Sequence, residues 1–145
     1  MNIKALVFAL PLSALLAGCS ASTTMHASDP DVSLHLNKDA PLVLNSAVTR
    51  TYSTTSFGQY RFKMVRPGKE PVYGLVPLKF NGGYLAADLL FFCPAMFYNL
   101  REVYPFYEFD AEHGVVRYRK RETDGWMTYT PSTAEIARAK AYFEQ

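Results

Sequence analysis

The chain has 145 residues, with 15 Lys and Arg against 13 Asp and Glu, a formal net charge of +2, and two cysteines. So even a balance leaves no basic surplus for a nucleic-acid backbone, whose binding scales with the phosphates neutralised. Two cysteines cannot build the disulfide framework of small secreted domains, and the length suits one domain with a core of its own.

Residues 1–4 carry one positive charge, Lys4, and residues 5–16 are apolar apart from Ser13. A charged n-region followed by such an h-region reads as a secretory signal. The apolar block is too short to span a ~30 Å hydrocarbon core, which takes ~20 helical residues. Pro11 in its middle opposes a spanning helix further. The block closes on Leu16-Ala17-Gly18-Cys19.

Those four residues, behind that h-region, resemble the lipobox of bacterial lipoprotein precursors. The resemblance covers residues 1–20. It implies cleavage before Cys19, a thioether-linked diacylglycerol on the Cys19 thiol, and further acylation of the new N-terminus in many species. Each buried CH₂ contributes ~0.8 kcal/mol and stable anchoring takes two chains, which a diacylglycerol supplies at once. In Gram-negative lipoproteins an Asp after the cysteine tends to retain the protein at the inner membrane. Here the residue is Ser20, so the resemblance implies the outer membrane, facing the periplasm.

Loss of residues 1–18 leaves 127 residues, 145 minus 18, and removes Lys4, so 14 basic residues then face 13 acidic ones. Residues 19–33 are small and polar with little to bury, which predicts a flexible tether. The expected organisation is therefore a signal peptide at 1–18, a tether at 19–33 and a single α+β domain at 34–145. His26 and His35 lack a neighbouring Cys or carboxylate cluster at ligand spacing, so no metal is expected. With Cys19 used as the anchor, Cys93 has no intramolecular partner.

Short β-like pieces follow. Residues 41–48 predict a weak strand, and the Thr/Ser/Tyr-rich 49–55 an exposed or edge strand. In 59–66, Tyr60, Phe62 and Met64 alternate with Arg61 and Lys63, the period of a half-buried strand. Residues 67–71 have turn chemistry. Residues 72–80 predict another strand, with Pro77 marking an edge or bulge. Together they predict an antiparallel meander.

Residues 84–98 are the most apolar stretch after the signal. They read as two short helices meeting at Cys93-Pro94, because Pro94 disfavours helical geometry at Cys93 and suits the first turn of a second helix. Such a segment is either a core layer or a surface for membrane or partner. Residues 103–109 and 115–121 flank a short loop ending in Gly114 and predict a β-hairpin. A turn at 123–125 leads into a third strand at 126–130. Pro131, Ser132 and Glu135 match helix entry with a capping box, and Ile136, Ala139 and Phe143 give the C-terminal helix one apolar stripe. The expected fold is α+β: a small antiparallel sheet of hairpins packed with the short apolar helical segment and a C-terminal helix.

Three features bear on chemistry. Cys93 is flanked by Phe92, Pro94 and Met96, surroundings that raise a thiol pKa and oppose a nucleophilic role. Asp88 lies in an apolar run and needs a partner such as Arg101. Alternation puts Arg117, Arg119 and Arg121 on one strand face, with Tyr118 and Lys120 on the other. That face is either a solvated or edge-protecting surface or a contact for anionic headgroups. No Gly-rich phosphate loop, G-x-S-x-G, H-E-x-x-H or zinc spacing occurs, so no cofactor is expected.

The leading expectation is a lipid-anchored envelope protein with a non-enzymatic structural, assembly or interaction role. Its partners would be the membrane and an envelope protein engaged through the apolar segment. Two alternatives stand beside it. One is a binder of small apolar ligands or lipids with a cavity lined by Phe91, Phe92 and Phe97. The other is an enzyme or redox protein using Cys93 or Asp88 beside His113 or Arg101.

Overall fold

Strand β1 (Ser20–Ala27) runs through a sheet rather than hanging outside it. It pairs antiparallel with β4 (Val48–Ser53), Ser20 opposite Ser53, and parallel with β9 (Phe106–Asp110), Thr24 opposite Phe106. Strands β10 (Val115–Arg119) and β11 (Met127–Tyr129) complete a five-stranded sheet in the order β11-β10-β9-β1-β4. The computed structural model describes residues 20–53, 59–80, 82, 86 and 101–145.

A second sheet has the order β3-β2-β5-β6, from β2 (Ser33–Leu36), β3 (Leu42–Val43), β5 (Arg61–Val65) and β6 (Val72–Leu75). A third pairs β7 (Leu78–Phe80) with β8 (Arg101–Val103). The fold is β-rich α+β: mostly sheet, with the helix α1 (Thr133–Phe143) at its C-terminal end.

One core joins the two large sheets. Met25, Tyr107, Phe109 and Val116 from the first meet Leu34, Leu36, Phe62 and Met64 from the second, with the Phe62 and Phe109 rings edge-on at 5.8 Å. Full burial of an apolar side chain of this size contributes about 1.5–3 kcal/mol. Helix α1 packs against β6 and β5. There Phe143 meets Tyr73 and Tyr142 lies under the Arg61 guanidinium. Gly74 on β6 sits where a Cβ would fall 2.6 Å from Pro131 and 2.7 Å from the Phe62 ring.

The tether expected over 19–33 is corrected by this topology. Its composition is poor in aliphatics, but Thr23 and Met25 alternate inward and are buried. Ser22 and Thr24 alternate outward, their hydroxyls bonded to Thr51 at 3.0 Å and Thr49 at 3.2 Å. Thr is β-branched and suits a pleated surface with neighbours on both sides. Residues 20–33 therefore belong to the folded domain, which was expected to begin at residue 34.

The meander is also corrected. Consecutive β4 and β5 lie in different sheets, and one pair, β1–β9, is parallel. Within 41–48 only Leu42–Val43 pairs before β4 begins, and 72–80 breaks at Val76-Pro77 into β6 and β7. The Pro lacks a ladder donor, and its carbonyl instead accepts from the Tyr107 hydroxyl at 2.6 Å. The β5, β9–β10, β11 and α1 expectations hold. In α1 the buried residue is Ala139, while Ile136 stays exposed, so the apolar stripe is narrower than expected. Of the helices expected at 84–98 only Ala86 is described, in helical conformation; the rest, with Asp88 and Cys93, lies outside the described residues.

Candidate functional site

The outward face of the five-stranded sheet carries a cross-strand row of ionisable groups. Register puts His26 beside Glu108 and Glu108 beside Arg117. His26 Nε2 lies 2.9 Å from Glu108 Oε2. Arg117 donates to Glu108 and, at 2.8 Å, to Asp110 Oδ2. Asp110 also accepts the backbone N–H of His113 at 2.9 Å and lies 3.0 Å from its Nδ1. Burial pushes the Asp110 carboxyl up, but these hydrogen bonds and the Arg117 charge outweigh it and leave the carboxyl below its ordinary value.

Below this row the basic run is consumed by its own surroundings. The Arg119 guanidinium lies 4.3 Å from the Trp126 ring centroid and 5.3 Å from that of Phe106, and donates to the Glu122 carbonyl at 2.6 Å. Trp126 in turn meets His26 edge-on at 5.7 Å. β10 ends at Arg119, so Arg121 lies in the following turn, its N–H bonded to Asp124. The expected face of three arginines is therefore two, Arg117 in ion pairs and Arg119 between rings. Since β10 lies between β9 and β11, neither guards an edge.

A second network ties together the end of the fold opposite Ser20. Asp29 Oδ2 accepts the N–H groups of Ala111 at 3.0 Å and Glu112 at 3.2 Å, and Asp29 Oδ1 lies 3.4 Å from Arg66. The turn after β1 is thereby fastened to the turn after β9. At the other end, a cleft of about 370 Å³ opens between β4 and the β2–β3 turn, lined by Leu36, Asp39, Leu42, Arg50 and Tyr52 among others. Burial first, then the Asp39 charge, pushes the Tyr52 phenol up to about 12.

The arrangement ties β1, β9 and β10 to one another through side chains. His26 and His113 each meet a carboxylate, and the Arg117 guanidinium bridges the two carboxylates. Among the described residues no group of three or more His, Cys, Asp or Glu is placed to hold a metal ion. His26 and His35 lie in different sheets, His35 opposite Lys63 on β5. Burial and then that lysine's charge lower the His35 pKa. Arg101, the suggested partner of Asp88, lines a smaller cleft with Gln59, Tyr129 and Glu135. Cys93 and Asp88, expected beside His113 or Arg101, and the Phe91, Phe92 and Phe97 cavity lie outside the described residues.

Sequence reasoning missed the His26–Glu108–Arg117 row. Its only signal was the outward phase of His26 two residues from Thr24, legible once residues 20–27 are read as a strand. Compared with protein-family models, with curated proteins and with solved structures, the chain matches none.

Proposed function

We propose that the chain is a lipid-anchored cell-envelope lipoprotein whose domain has a structural, assembly or interaction role rather than a catalytic one. The observation that carries this reading is the Leu16-Ala17-Gly18-Cys19 motif standing immediately before the first residue of β1. Cleavage before Cys19 would leave every described strand intact and put the acylated thiol one peptide bond from the fold. The proposed destination is the periplasmic face of the outer membrane, because Ser20 takes the place of a retaining Asp. The engagement of His26, Glu108, Asp110, His113 and Arg117 with one another supports a non-enzymatic role.

Cys19→Ala tests it. In cells, the variant should accumulate as unprocessed precursor or untethered protein. Globomycin, which blocks the lipoprotein peptidase, should retain the wild type at precursor mobility. Normal maturation of the Ala variant would remove the proposal.

A further inference from the structure

Resting on the lipoprotein reading, we infer that the Ser20 end of the fold lies directly against the bilayer, with the β7–β8 end carrying Phe80 seated in the lipid interface. A fifteen-residue tether would reach about 50 Å at ~3.4 Å per residue. With β1 beginning at Ser20, the Cα of the acylated residue is only ~3.8 Å from the sheet. The domain cannot stand off or turn over on so short a link.

Contacts around β1 say which surface then faces lipid. Tyr52 is in register with Ala21, and its ring meets Tyr60 at 5.0 Å. The Tyr60 carbonyl accepts from Val76 at 2.8 Å, immediately before Pro77 and β7. β8 runs beside β1 and enters β9 through Pro105, whose carbonyl accepts from Thr24 at 2.8 Å. The β7–β8 pair thus sits at the same end as Ser20 and closes on Phe80 opposite Arg101.

Phe80 is 61% exposed, a large apolar side chain at the surface. Beside it Lys79 pairs with Glu102 at 2.7 Å, and Arg101 stands at the surface. An aromatic ring flanked by long basic side chains suits the boundary between acyl chains and headgroups, where such side chains bury their stems and keep their charge wet. The occupant is therefore a lipid bilayer, the one that holds the protein's own acyl chains.

The test uses the full lipidated protein, purified from cells and reconstituted into phosphatidylethanolamine–phosphatidylglycerol vesicles whose acyl chains are brominated near the headgroup. All variants carry Trp126→Phe. Tryptophan is then placed near Ser20 by Phe80→Trp or Arg101→Trp, and at the opposite end by Lys69→Trp or Glu112→Trp. Bromine should quench the near-end probes several-fold more than the far-end ones. A Gly/Ser spacer of about ten residues after Cys19, adding ~35 Å, should reduce that difference. Equal quenching at both ends, or none at either, with the protein still floating with the vesicles, overturns the orientation and leaves anchoring intact. Failure of the purified protein to float with vesicles overturns both.

Discussion

Asp110 is 3% exposed yet charged, and its surroundings fix how it responds to acid. Its folded carboxyl lies below its ordinary value, although burial alone would raise it, because His113 and Arg117 stabilise the anion. A group with a depressed folded pKa contributes stability that is present above the unfolded value, ~3.9 for Asp, and lost as pH falls through the folded value. Asp110→Asn should therefore be less stable than the wild type near neutrality, and the gap should close as pH falls below about 4. Urea midpoints across that range measure it; a constant gap would show that the carboxylate charge plays no part. Glu135 responds in the same sense, held below its ordinary value first by the Tyr129 hydrogen bond and then by those from Ser132.

At the scale of elements, the C-terminal helix is the part that sequence chemistry announces most directly. Ser132 accepts from the Glu135 N–H at 3.4 Å and the Glu135 carboxylate takes the Ser132 N–H at 2.8 Å, a reciprocal pair written within four residues. Ser132→Ala should cost about 1 kcal/mol, read as a drop of about 3–6 °C in a thermal melt. Gly74→Ala should cost about 1–3 kcal/mol, since a Cβ there overlaps Pro131 and the Phe62 ring and overpacking forces neighbours off their rotamers. Chemical-denaturation curves decide it, and an unchanged midpoint would mean that Pro131 moves aside freely. β5 and the β9–β10 hairpin were equally legible, because alternation and a nearby turn are local signals. β1 was not. Its evidence lies in β4 and in β9, which its pairing reaches through residues about 80 positions away. The His26–Glu108–Arg117 row was hidden for the same reason, being a product of register between strands distant in sequence.

For the molecule as a whole, the placement of β1 divides two views of residues 20–27. A tether is dispensable to folding; a strand between β4 and β9 is not, since its removal leaves both partners with unpaired edges and removes Met25 from the core. Deleting residues 20–27 from the soluble domain should abolish cooperative thermal unfolding and disperse the amide spectrum poorly. Retention of a wild-type melt would return this stretch to the status of a linker. The two large sheets share one core, so the expected loss spreads beyond β1 and is seen equally at α1.

The same strand also sets how the molecule bears load. A pull at Cys19 enters along the axis of β1, while the hydrogen bonds to β4 on one side and β9 on the other run across that axis. They are strained together, in shear, rather than opened one after another as in peeling an edge strand. Force arriving through Ser20 would meet a grip distributed over two neighbours, and the fold would resist being drawn out from that end.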